Sequence, residues 1–334
     1  MHQLPLILSI VAGLVPGSMQ IPADLAKRDS PVLPGFTSDP NIIAFGDTYY
    51  IYPTTEAQDP AGKAFYVYTS KNLVDWTKSE EPILSLNEQD GPGNCPWANG
   101  NAWAPTIIER GGKYYFYHSG FNPSEDRITI GVAVADSPEG PFTGQPEAMI
   151  TNEEELTVGE VIDAMAFLDP ETDKYWLYWG NGGLLHAELN DDMVSINEDT
   201  LGESTGLDGY LEAPFVVYRE GLYHLTWSID NTWSEDYRVG YATGASATGP
   251  WENHGVILQK RPDLGILGTA HHSILNVPGT DDWYIAYHRF AIVNDTPDFH
   301  REVTIDRMTF EPDTGLIQPV TPTLESVPPQ EIKA

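Results

Sequence analysis

The chain has 334 residues and carries 49 acids against 17 Lys and Arg, a formal net charge of −32. A field of that sign repels phosphate backbones and anionic lipid, which argues against a nucleic-acid partner and against a membrane-surface role. Composition favours short strands over helices, because 17 Tyr, 9 Trp and 11 Phe suit pleated surfaces while 30 Gly and 27 Pro supply frequent turns.

The apolar run from Met1 to Val15 is too short to span a bilayer and is followed by Gly17 and Ser18, as in a secretory signal. Lys27-Arg28 directly ahead of Asp29 resembles a dibasic processing site. The expected organisation is a signal peptide over residues 1–18, a short propeptide over 19–28 and one folded domain over 29–334. The product would be secreted and extracellular, with no membrane contact once the signal is removed. Cys95 is the only cysteine, so no intrachain disulfide can form and burial and hydrogen bonding must hold the fold. Asn294-Asp-Thr296 is a glycosylation sequon followed by Pro297.

Along the chain one phrase returns five times: a strand with a small or Pro-marked start, a turn, an aromatic strand, then a β-branched segment. The copies begin near Asp39-Pro40, Trp103-Ala-Pro105, Ile162-Asp-Ala164, Glu212-Ala-Pro214 and His271-His-Ser273. With Pro40, Pro105, Ala164, Pro214 and Ser273 taken as equivalent points, the intervals are 65, 59, 50 and 59 residues. Radial repetition of small sheets at such a period predicts an all-β fold, a single five-bladed β-propeller. A β-sandwich would not explain the recurrence, and the Gly-His and Trp-Asp phrases of WD repeats are absent.

In a propeller the innermost strands line a central channel, so equivalent positions converge on one face. There the five copies supply Asp39, Trp103, Asp163, Glu212 and His271. Any one of these acids read alone is a turn or strand-end residue. Three carboxyls in one register are a different matter, because like charges coexist only when at least one stays protonated, as a general acid and a general base require. Glu212, followed by Ala213, Pro214, Phe215 and Val216, has the apolar surroundings that raise a carboxyl toward a proton donor's pKa. Trp103 offers a ring suited to stacking on a sugar. Glycoside hydrolysis uses such a pair of carboxyls.

Ser38-Asp-Pro40, Trp103-Ala-Pro105, Ile162-Asp163, Glu212-Ala-Pro214, the Gly-Thr-Ala-His-His-Ser run at 268–273, and Arg301 ahead of Ile305-Asp-Arg307 together resemble glycoside hydrolase family 43 over residues 36–325. That resemblance implies an inverting enzyme with Asp39 as general base, Glu212 as general acid and Asp163 orienting Glu212 and raising its pKa. It also implies that Trp103, Asn181 and Arg301 line the sugar subsite and that His271, on the channel axis, holds a structural calcium ion through water. A channel-filling His271 bonded to its neighbours is the alternative for that residue. The family more commonly has Gly where this chain has Ala213 and Ala270, which bears on pocket shape. Within the family, the stretches 268–275, 278–290 and 300–303 look most like members acting on α-L-arabinofuranosides, and the expected partner is a plant cell-wall polysaccharide such as arabinan or arabinoxylan. Endo-arabinanase and β-xylosidase action remain open. From a different class, a carbohydrate-binding propeller without catalysis is disfavoured by three clustered acids.

Overall fold

The computed structural model describes residues 30–55, 62–87, 94–153, 157–292 and 300–333. The segments expected to be a signal and a propeptide, and Asn294, lie outside the described residues. Among those described, the secondary structure is strand throughout except for one turn of 3-10 helix at Pro262–Leu264.

Five antiparallel sheets follow one another in chain order. Blade one comprises Thr37–Phe45, Thr48–Thr55, Tyr68–Ser70 and Thr77–Lys78, and blade two Trp103–Arg110, Lys113–Asn122, Arg127–Ala135 and Thr143–Gly144. Blade three has Met165–Asp169, Lys174–Trp179, Leu184–Leu189 and Ile196–Ser204, and blade four Tyr210–Arg219, Leu222–Ile229, Arg238–Gly244 and Trp251–Leu258. Blade five has three strands, Ala270–Asn276, Trp283–Phe290 and Arg301–Met308. The predicted five-bladed propeller is what forms.

Burial falls from the axis outward within a blade. In blade four the strand Leu222–Ile229 is buried at every position but its first, whereas Trp251–Leu258 is largely exposed or half-buried. The inner strands therefore carry the near-continuous apolar and aromatic runs that the sequence shows. The core lies between neighbouring blades: Tyr52, Phe65 and Phe116 join blades one and two, and Tyr117, Leu177 and Trp179 join two and three. Each fully buried side chain of this size contributes about 1.5–3 kcal/mol relative to exposure.

Closure of the ring uses the chain ahead of blade one. The Val32 amide donates to the Val303 carbonyl at 3.0 Å, and Leu33 packs with Tyr49 of blade one and Tyr284 of blade five. Arg289, fully buried, donates to Glu302, to the Thr323 carbonyl and to the Ser30 hydroxyl at 3.0, 2.8 and 3.1 Å. A buried guanidinium so completely partnered ties three separate segments together, and loss of either ion would strand the other at about 3–5 kcal/mol.

The axial channel differs at its two ends. One end is a small pocket of about 20 Å³ lined by Asp39, Asp163, Ala213 and His271 among others, and the other is an apolar cavity of about 440 Å³ lined by Ile43, Ile108, Phe167, Val217 and Leu275 among others. Of these two, the first is the one lined by carboxyl and imidazole groups.

Candidate active site

The inner strands of blades one, two, four and five open with a bulge. Ser38 and Asn41 pair with Thr54 and Tyr52, Trp103 and Thr106 with Ser119 and Tyr117, Glu212 and Phe215 with Ser228 and Thr226, so that two residues on the inner strand face one on its neighbour. Blade five has its register shift at Ala270 and His272. One residue at this point takes a left-handed backbone in every blade, blade three included, where it precedes the strand: Asp39 (φ 48°), Ala104 (φ 43°), Asp163 (φ 60°), Ala213 (φ 55°) and His271 (φ 45°).

This corrects the register expected from the repeat. Asp39, Asp163 and His271 are equivalent, but Trp103 and Glu212 stand one position earlier, ahead of the left-handed Ala104 and Ala213. Likewise His272, not Ser273, matches Pro40, Pro105, Ala164 and Pro214. A bulge inserts a residue without changing the strand's composition, so spacing alone does not place it. The consequence is that side chains from both positions, on different sides of the bulge, reach the same mouth.

The left-handed residues present their amides to the preceding blade. Asp39 N–H donates to His288 Nδ1 (3.3 Å), Ala104 N–H to Thr54 Oγ1 (2.7 Å), Asp163 N–H to Ser119 Oγ (3.2 Å) and His271 N–H to Ser228 Oγ (3.0 Å). The acceptors occupy one repeat position, which in blade three is Gly180, two residues after Tyr178. With no side chain there, the Ala213 amide acts on the Asp163 carboxyl instead.

The three predicted acids do converge, each buried. Asp39 Oδ1 lies 3.0 Å from Arg301, 3.1 Å from His288 Nδ1 and 3.3 Å from His271 Nδ1. Burial alone would raise its pKa, but Arg301, His271 and His288 together hold it well below the ordinary carboxylate value. Glu212 is moved the other way: burial raises its pKa, the Asp39 charge adds to that, and bonds from Tyr237 and Asn181 offset part of it. Asp163 is pushed well above its ordinary value, by burial first and then by Glu212 and Asp39. Its Oδ2 is buried without a hydrogen-bond partner, which is tolerable for a protonated carboxyl and costly for an ionised one. Asp163 and Glu212 thus retain a proton between them while Asp39 is an anion.

The residues expected to line the sugar subsite are divided. Arg301 pairs with Asp39 and also donates to Thr232 Oγ1 at 3.1 Å. Asn181 donates through Nδ2 to Glu212 Oε2 at 2.6 Å, so it holds the acid itself. Trp103 is exposed at the start of the blade-two inner strand, where a sugar ring can reach it. His271 sits between Asp39 and Asp163, 3.8 Å from the Oδ2 of Asp163, and burial lowers its pKa against the opposing charges of Asp39 and Glu212.

Among the described residues no three His, Cys, Asp or Glu side chains gather as a metal-ligand set. Calcium takes six to eight oxygens, so an ion at His271 would depend on water for most of its ligands.

Two contributors escaped the sequence reading, Tyr237 and His288. Tyr237 OH donates to Glu212 Oε1 at 2.7 Å, and its ring stacks on His288 with centroids 5.5 Å apart. His288 shares the repeat position of Thr54, Ser119 and Ser228, a signal that the correct register would have exposed. Tyr237 lies on the turn before Arg238–Gly244, and nothing in the sequence pattern marks it.

The arrangement is a mouth with one carboxyl whose pKa is lowered and another whose pKa is raised, with an exposed aromatic at the start of the blade-two inner strand. The family profile described as Glycosyl hydrolases family 43 matches residues 28–315. Over 346 aligned positions the chain is 35% identical to Beta-D-galactofuranosidase xynD of Aspergillus niger, covering 96% of this chain and 95% of that one. It is 26% identical to Xylosidase/arabinosidase 43A of Humicola insolens, covering 84% and 96%. A crystal structure of a thermostable family-43 glycoside hydrolase superposes with a TM-score of 0.74 at 26% identity, covering 91% of this chain and 98% of that one.

Proposed function

Because the chain belongs to glycosyl hydrolase family 43, we propose that it is a secreted, inverting glycosidase that removes α-L-arabinofuranosyl residues from arabinan or arabinoxylan. The observation that carries the mechanism is the opposite tuning of two buried carboxyls, Asp39 downward by Arg301 and the two histidines, Glu212 upward by burial. Glu212 gives its proton to the glycosidic oxygen as the C1–O bond breaks, with the bonding pair leaving on that oxygen. Asp39 takes a proton from a water that attacks C1 from the opposite face, so the anomeric configuration inverts. Asp163 keeps Glu212 protonated by sharing the site's charge, Arg301 holds Asp39, and Trp103 stacks on the sugar.

The choice of sugar is supported by stretches 268–275, 278–290 and 300–303 and by similarity to a xylosidase/arabinosidase. One specific finding favours a second reading, β-D-galactofuranosidase action, since the 35% identical protein bears that name. The two furanosyl rings share their configuration and differ in the length of the arm at C4, so one pocket mouth can select either by depth.

A panel of nitrophenyl α-L-arabinofuranoside, β-D-galactofuranoside and β-D-xyloside with linear arabinan tests the substrate, and proton NMR of the first-formed anomer tests inversion. Glu212→Ala and Asp39→Ala are expected to lower turnover of the unactivated polymer at least about a thousandfold with the fold retained. Near-normal turnover by both variants would remove the assignment.

A further inference from the structure

Glu212 is held at both oxygens. Asn181 Nδ2 donates to Oε2 at 2.6 Å and Tyr237 OH to Oε1 at 2.7 Å. The first bond is backed by the chain: Asn181 pairs in parallel with Gly159–Glu160, and Gly159 sits so close that a Cβ there would lie 1.8 Å from the Asn181 carbonyl oxygen. Gly159 also has φ +79°, a conformation that glycine alone adopts without strain.

The second bond comes from a buried phenol beside a buried hydroxyl. Ser228 Oγ accepts the His271 amide at 3.0 Å, which leaves its own proton free, and the hydroxyl acts on the Tyr237 phenol as a donor does, in the direction that lowers its pKa. Tyr237 directs its own proton to Glu212. Ser228 and Tyr237 are both fully buried, which removes competing water and strengthens these bonds. Burial, then the Glu212 charge, keeps the phenol protonated well past the ordinary tyrosine range.

We propose that Tyr237, oriented by Ser228, is a positioning residue for Glu212: with Asn181 it fixes the plane of the carboxyl so that its proton points into the mouth rather than to a neighbouring oxygen. This rests on the reading of Glu212 as the general acid. Tyr237 is fully buried behind the acid and does its work through Glu212. Since the alignment of a proton donor matters in proportion to how much the leaving oxygen needs a proton, the effect must depend on the leaving group.

The test compares Tyr237→Phe, Ser228→Ala and Glu212→Ala on two substrates of the sugar that the enzyme cleaves, an unactivated oligosaccharide and the 2,4-dinitrophenyl glycoside, whose leaving group departs without protonation. Tyr237→Phe is expected to lower kcat on the oligosaccharide about a hundredfold and on the dinitrophenyl glycoside less than about threefold, with KM little changed. Ser228→Ala should show the same asymmetry at about a tenfold loss. Both rates come from one preparation, so their ratio does not depend on the folded fraction. Equal losses on the two substrates, or none, would overturn the role of Tyr237. Glu212→Ala separates the two levels: if it stays active on the oligosaccharide, the acid assignment fails and the inference with it. If it loses only that substrate, the assignment stands and Tyr237→Phe decides.

Discussion

Four of the five seams between blades are closed in the same way and one is not. At the four, a left-handed amide donates to a side chain of the preceding blade, to Thr54, Ser119, Ser228 or His288. At the seam between blades three and four that side chain is missing, because Gly180 holds the position, and the Ala213 amide turns to the Asp163 carboxyl. The closed seams satisfy buried amides that would otherwise cost about 1–3 kcal/mol each. The open seam is where Asp163 meets Glu212 and where Asn181, the residue after Gly180, reaches the acid. The same repeat position therefore caps an amide at four seams and leaves room for two carboxyls to meet at the fifth, and the difference is one absent side chain.

Filling the open seam should have the largest effect. A Cβ at Gly180 would lie 2.3 Å from the Gly183 carbonyl oxygen on a backbone with φ +120°, so Gly180→Ser must displace Asn181 and with it Glu212. We expect kcat to fall at least about a hundredfold on an unactivated substrate, measured beside a melting curve; full activity would show that the seam's openness is irrelevant to catalysis.

Removing the proton-sharing group at that seam should trade activity for stability. The pKa of Asp163 is raised in the folded state above its ordinary 3.8, so the native protein binds more protons than the unfolded one. The resulting penalty is absent below the unfolded pKa and grows as pH rises toward the folded value. Asp163→Asn should accordingly gain melting temperature at pH 7 relative to its difference from the parent at pH 4, while losing about ten- to a hundredfold in turnover. A pH-independent change in melting temperature would contradict the charge argument.

Breaking a closed seam should be the mildest for chemistry. Thr54→Val removes the acceptor of the Ala104 amide, 2.7 Å away, at nearly constant volume. It is expected to cost about 1–3 kcal/mol of stability, read from denaturant unfolding, with turnover within a few-fold of the parent. A loss as deep as that of Gly180→Ser would mean the seams do not differ in kind.

The sequence by itself determined the five-fold repetition, because strands of aromatic and β-branched residues broken by turns leave a periodic record, and it determined which three acids share the mouth, because Asp39, Asp163 and Glu212 each precede a Pro- or Ala-marked strand. Its register slipped by one at Trp103, Glu212 and Ser273, since an inserted bulge residue has no signature in composition and only the backbone conformation reveals it. Asn181 was legible as a site residue, but its bond to Glu212 is a contact that no motif carries. Tyr237 and His288 were invisible as site residues because their importance comes from neighbours in other strands and blades, Glu212 for the one and Asp39 for the other. Tertiary structure alone decided the charges. Which carboxyl is an anion and which keeps a proton depends on Arg301 approaching Asp39 from 262 residues away and on the depth at which Glu212 and Asp163 are buried together, and neither distance nor depth is written in the order of the residues.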